Sequence, residues 1–280
     1  MNRKPLWIVI LILSLVVLLA GAGFLLYYFF GGSASPQRNA TDETRDIETI
    51  AESTSATALP SAVPEPQTES VDTFGYTLED TPDVTTLSFD ELMAMNPDVY
   101  AWIYVPNTNI DYPVVQSMTD GDDSFYLSHN VYREYQFSGC IYSEIQNATD
   151  FHDPVTVLYG HNMANGSMFA TLHYFSDPEF FNANNTAFII TKDRVLTYLI
   201  YSAYLYDDRH ILNSFNMRDR DSFAVYRDST LTPRSYNCNI REGVTLDENS
   251  RILTLSTCGS GNTRFLVQGV LVYEQDRIVE

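Results

Sequence analysis

Two apolar runs of strand type lie close together near the C-terminal end of the chain, RILTLS at residues 251–256 and FLVQGVLVY at residues 265–273. Between them stand Thr257, Cys258, Gly259, Ser260, Gly261, Asn262, Thr263 and Arg264. Glycine and asparagine are the residues a chain uses to reverse direction, so the two runs are expected to pair as antiparallel neighbours across a short loop. Such a turn brings Cys258 and Arg264 together. A guanidinium that keeps its proton favours thiolate on a neighbouring sulfur and can balance a developing oxyanion. From these residues alone Cys258 fits two descriptions, a thiol packed at the end of a core strand and a reactive nucleophile.

The rest of the chain divides by composition. Residues 6–30 (LWIVILILSLVVLLAGAGFLLYYFF) run for 25 residues without a charge, after Arg3 and Lys4. At about 1.5 Å rise per residue such a run crosses a hydrocarbon core of about 30 Å, so it is expected to be a transmembrane signal-anchor helix. A cleaved signal peptide competes, with small residues at Ser33, Ala34 and Ser35, but its apolar core is usually about 7–15 residues long. Positive charge before the span places residues 1–5 in the cytoplasm and the bulk of the chain outside the cell. Residues 31–86 turn to Ser, Thr, Ala, Pro and acids, with eleven Asp or Glu against two Arg in residues 33–85. Little apolar surface offsets the entropy of ordering them, so they are expected to form a flexible tether. Residues 87–280 are long enough, and rich enough in Tyr, Phe, Val and Ile, to build one core.

A net charge of −20, with no basic residues clustered enough to release counterions, argues against phosphate-backbone binding and a nucleic-acid partner. The cysteines, Cys140, Cys238 and Cys258, are too few for a disulfide scaffold and lack metal-site spacing. A Cys140–Cys238 pair is left open.

Within the folded part, residues 89–96 read as a short helix stopped by Pro97. Strands are expected at residues 100–105, 110–116, 139–143, 154–159, 187–191 and 195–206. Residues 167–175 have apolar residues at helical spacing, with Ser167 as N-cap. Within the long connection 207–250, residues 216–226 read as a helix with Met217, Arg220, Phe223 and Ala224 along one side. That connection either shapes a binding groove or covers the sheet. The strand at 154–159 runs into Gly160, whose missing side chain permits a bend, so His161 is expected at the lip of the sheet. His129, in a loop after aromatic residues, is its rival. His152, His173 and His210 read as packing or surface residues.

Three separated segments share one resemblance. Thr254-Leu255-Ser256-Thr257-Cys258 followed by Arg264 resembles the T-L-x-T-C…R signature of the sortases, cysteine transpeptidases of Gram-positive cell surfaces. NPDVYAWIYVPNTNIDYPVVQ at residues 96–116 is similar to the opening of the class B sortase domain. YGHNMANGSMF at residues 159–169 is similar to the class B segment that carries the catalytic histidine. The resemblance implies a mainly β fold, a closed β-barrel with peripheral helices. It implies Cys258 as nucleophile, His161 as general acid and base, Arg264 as oxyanion stabiliser, and Ser256 and Thr257 as structural or substrate-facing residues. A thioacyl intermediate is implied, with no cofactor and no metal. The implied partners are secreted proteins bearing a C-terminal sorting signal, and an amine of a peptidoglycan precursor or cross-bridge, or a pilin lysine. Two other classes stay open, a hydrolytic cysteine protease with the same dyad and a non-catalytic membrane-tethered binding module.

Overall fold

A computed structural model describes residue 82 and residues 87–118 and 122–277. The span expected at residues 6–30 and nearly all of the tether at residues 31–86 lie outside them. Among the described residues no helix is long and apolar enough to cross a membrane.

The folded part opens with helix α1 (Phe89–Met95). The Ser88 side chain accepts a hydrogen bond from the Glu91 amide at 3.3 Å, and the helix closes at Asn96, ahead of Pro97. Strand β1 (Val99–Tyr104) then alternates. Val99, Ala101 and Ile103 are buried while Tyr100, Trp102 and Tyr104 are half-buried, which is the period-two pattern of a strand with one face on a core. The remaining strands are β2 (Asp111–Gln116), β3 (Ile141–Ser143), β4 (Val155–Tyr159), β5 (Thr186–Ile190), β6 (Arg194–Tyr206), β7 (Cys238–Ile240), β8 (Ile252–Cys258) and β9 (Arg264–Asp276).

Their order is β5-β1-β2-β3-β4-β8-β9-β6, and β6 pairs again with β5, so eight strands close into a barrel. Closure removes the exposed edges that an open sheet would present. The short β7 adds to β6 at Ser202–Tyr204, beyond the stretch that pairs with β5. Two pairings are parallel, β2 with β3 and β4 with β8; the latter sets Tyr159 opposite Ser256. The interior is apolar and continuous, with Ile103, Ile141, Leu158, Ile189, Leu255 and Phe265 among its members.

Strand positions agree with the sequence reading to within a residue or two at most ends, but β7 was not anticipated. Three residues, Cys-Asn-Ile, carry no legible alternation. The helix expected over residues 167–175 is corrected. Ser167 caps nothing there; its hydroxyl donates to Asn165 Oδ1 at 2.7 Å within a turn, and Met168 takes a positive φ of 58°. A 3-10 helix (Ala170–Ser176) follows, then a separate helix α2 (Pro178–Ala183), capped by Asp177 with Pro178 in its first turn.

In the long connection, a short helix α3 (Ile211–Ser214) precedes α4 (Arg220–Leu231), which begins at the Asp219 cap, a few residues later than expected. Its inward face is Phe223, Tyr226 and Thr230, and Arg220 is exposed. Phe223 and Tyr226 pack with Met217 against Val155, Val157, Ile252 and Leu266 on the outside of the barrel. Burying one such aromatic contributes about 1.5–3 kcal/mol. The helix therefore covers β4, β8 and β9 below the point where β8 ends.

Candidate active site

The site is built on the ends of β4 and β8. Along β8 the side chains alternate: Leu253 and Leu255 point into the barrel, while Ile252 and Thr254 face α4 on the outside. The next outward positions are Ser256 and Cys258. Cys258 is the last residue of its strand and is exposed, where the residues before it are buried.

Antiparallel pairing sets Cys258 opposite Arg264, as the loop composition required. Arg264 Nη1 donates to Cys258 Sγ at 3.1 Å. The intervening loop is closed by Gly259 N–H donating to the Thr263 carbonyl at 2.9 Å, and a side chain at Gly259 would meet Thr263 Oγ1 at 2.4 Å. The backbone N–H that follows the cysteine is thus already engaged, and the guanidinium is the positive group against the sulfur.

His161 arrives from the neighbouring strand. Gly160 N–H continues the parallel ladder to the Ser256 carbonyl at 3.1 Å, and Thr257 Oγ1 donates to the Gly160 carbonyl at 2.8 Å. Gly160 is required by packing: a Cβ there would lie 2.5 Å from Ile141 Cδ1 and 2.7 Å from Phe169 Cγ. His161 then leaves the sheet at the level of Cys258. Its Nε2 is hydrogen-bonded to the Leu127 carbonyl at 2.8 Å, and its ring stacks on Phe137 with centroids 5.5 Å apart. No hydrogen bond joins the ring to Cys258 Sγ. The structure joins Cys258 and Arg264 directly and brings the backbone of His161 beside them, with the imidazole turned toward the segment before β3.

Ser256 and Thr257 are buried, and the Thr257 hydroxyl is spent on Gly160. His129 stacks on Phe125 at 3.9 Å and bonds the Phe125 carbonyl at 2.7 Å, within its own loop. His152 pairs with Asp150 on the surface. His210 caps α3 and meets Glu144 Oε1 at 2.7 Å, tying the long connection to the end of β3. Cys140 is buried, Cys238 is exposed and all three cysteines are free. Burial pushes the Cys140 thiol up to about 12.

Two residues near the site were not legible as such. Asn162 Nδ2 donates to the Cys258 carbonyl at 3.1 Å, and His173 Nε2 lies 2.9 Å from the same oxygen. Spacing gave no sign of it, since His173 stands 85 residues before Cys258. Tyr142 and Tyr159 stack beside the site at 5.5 Å. Burial raises the Tyr142 hydroxyl above its usual range, Glu144 adds to this, and Arg264 opposes it.

A thiol beside a fixed cation, an imidazole just past the end of the adjoining strand and a closed eight-stranded barrel make one constellation, and the family model for the sortase domain matches residues 103–272. The chain belongs to the sortase family. It is 32% identical over 189 residues to sortase B of Listeria monocytogenes, covering 65% of this chain and 73% of that protein. The solved structure of Clostridium perfringens sortase B is 34% identical with a TM-score of 0.59, covering 66% of this chain and all of that one. A Streptococcus pyogenes class B sortase involved in pilus biogenesis is 32% identical with a TM-score of 0.56, covering 66% of this chain and 98% of that one. These relatives are of class B. The sortase described here is a cysteine transpeptidase of the cell surface.

Proposed function

We propose that this sortase cleaves a C-terminal sorting signal of secreted proteins after a Thr residue and transfers them to an amine of the cell wall. The observation that carries the reading is the Arg264 Nη1 contact with Cys258 Sγ at 3.1 Å on the exposed end of β8. Cys258 thiolate attacks the Thr carbonyl, and the tetrahedral oxyanion is balanced by Arg264. The C–N bond breaks as His161 protonates the departing amine, which leaves a thioester on Cys258. An incoming amine attacks that thioester, His161 takes its proton, and thiolate is released. Catalytic contacts are often long before substrate binds; to serve the leaving nitrogen, the His161 imidazole exchanges its hydrogen bond with the Leu127 carbonyl for one to the substrate.

The chain is tethered through residues 6–30 with its N-terminus in the cytoplasm, and residues 31–86 give the catalytic domain reach from the bilayer. The test is incubation with Thr-containing signal peptides, with and without an amine acceptor, followed by mass spectrometry. An adduct on Cys258 and an amine-dependent ligated product support the reading; hydrolysed peptide with no ligated product in any arm defeats it. Pilin polymerisation is a second reading, favoured by the likeness to the pilus-associated Streptococcus pyogenes protein. It predicts a lysine-bearing pilin as the acceptor that competes best.

A further inference from the structure

The carbonyl of Cys258 has an unusual pair of partners. In the parallel ladder, Gly160 N–H donates to the Ser256 carbonyl, so regular continuation would next offer the Asn162 N–H to the Cys258 carbonyl. The chain turns away first: Asn162 bridges Met168 in a small hairpin, and Phe169 N–H holds the His161 carbonyl at 3.0 Å. The Asn162 side-chain amide takes the vacated place, with Nδ2 at 3.1 Å from the Cys258 oxygen.

His173, from the 3-10 helix, supplies a second donor to the same oxygen at 2.9 Å. A carbonyl has two lone pairs and accepts both. The acceptor fixes the His173 proton on Nε2, and the 3.1 Å approach of Asn162 Nδ2 to that nitrogen is two donors converging on one oxygen. The His173 ring also stacks on Phe265, 4.7 Å between centroids, and Phe265 is the residue after Arg264. Asn162 is the residue after His161. Each member of the clamp is therefore anchored beside one of the three functional residues and bonded to the backbone of the nucleophile.

We propose that Asn162 and His173 are positioning residues that hold the Cys258 backbone at the end of β8, so that its sulfur stays against Arg264. This rests on Cys258 being the nucleophile, but the test requires no turnover. It uses the three free cysteines of the full-length protein. Iodoacetamide labelling is followed peptide by peptide by mass spectrometry, with exposed Cys238 as the reference and buried Cys140 as the report of unfolding.

His173→Phe keeps a ring on Phe265 and removes the donor. His173→Gln keeps an N–H in nearly the same place, and Asn162→Ala removes the amide. A sulfur no longer held against the guanidinium reacts more slowly. The Cys258 rate relative to Cys238 is expected to fall about three- to tenfold in the Phe and Ala variants, the worth of one hydrogen bond. It should stay within about twofold in the Gln variant, with Cys140 protected throughout. An unchanged ratio in both donor-less variants overturns the proposal, and so does an equal loss in the Gln and Phe variants. Labelling of Cys140 in step with Cys258 also overturns it, because the pair would then hold the fold and not the nucleophile. Failure of the transpeptidase reading would show separately, as intact labelling with no ligated product.

Discussion

The Tyr226 hydroxyl of α4 lies 2.8 Å from Thr254 Oγ1, four residues before the nucleophile on the same strand. Thr254 donates in turn to Gln268 Oε1 at 2.7 Å, and Gln268 Nε2 donates to the Tyr204 hydroxyl at 3.0 Å. All four side chains are buried, so the network is satisfied only as a set. The long connection is joined to the catalytic strand by hydrogen bonds as well as by apolar packing.

Replacing Tyr226 with Phe keeps the ring and leaves the Thr254–Gln268 pair short of a partner. A buried polar group deprived of its partner costs about 1–3 kcal/mol. Urea unfolding of Tyr226→Phe should show a lower midpoint with an unchanged slope. A midpoint equal to that of the parent protein would mean that the network is worth nothing to stability.

Arg264 stands alone as the cation touching the sulfur among the described residues, and Gly259 N–H is committed to Thr263. Arg264→Ala should lower kcat by about a hundred- to a thousandfold, the usual loss when an oxyanion donor is removed. Arg264→Lys should recover only part of it, since an ammonium lacks the planar fork. Full recovery by Lys would show that charge alone is needed there.

Gly160→Ala would force a methyl to 2.5 Å from Ile141 Cδ1 and 2.7 Å from Phe169 Cγ. Overpacking of this kind costs about 1–3 kcal/mol. The strain falls one residue before His161, so activity should drop further than a Tm shift of that size would explain. Thermal unfolding and turnover measured on the same preparation check this; full activity at a reduced Tm would separate His161 placement from the packing at Gly160.

Alkaline pH should destabilise the domain. Burial raises the Cys140 thiol from 9.0 to about 12 and the Tyr226 phenol from 10.0 to about 12, and burial moves Tyr198, Tyr201 and Tyr204 the same way. Each group keeps its proton longer folded than unfolded. Their contribution is fully present below the unfolded values and is lost as pH rises from about 9 through about 12. Urea midpoints taken between pH 7 and pH 11 should fall above about pH 9. Cys140→Ala should delay the onset, and an identical profile in that variant would remove Cys140 from the account.

Much of the barrel was legible because strands announce themselves locally. The alternation of Val99, Ala101 and Ile103 and the apolar runs on either side of the Cys258–Arg264 loop depend only on neighbours in sequence. The composition of residues 207–250 allows a groove wall or a cover, and Phe223 and Tyr226 against Ile252 and Leu266 give the cover a physical basis. The N-terminus of α4 moved because the Asp219 side chain, accepting from Ser222 N–H at 2.8 Å, sets where helical geometry starts. The apolar residues at 167–175 looked helical, yet Met168 at positive φ broke the run and left a 3-10 helix.

By itself the sequence determined the hairpin that faces Cys258 with Arg264, because a short connection rich in glycine and asparagine between two β-forming runs leaves few other pairings. It also determined that His161 follows a strand end at Gly160. Only the tertiary structure decided that β6 would pair with β5 to close the barrel, that Cys238–Ile240 would add to it, and that Asn162 and His173 would meet the Cys258 carbonyl. Those contacts join segments as much as 96 residues apart, and no local periodicity encodes a meeting that exists only once the sheet has curled onto itself.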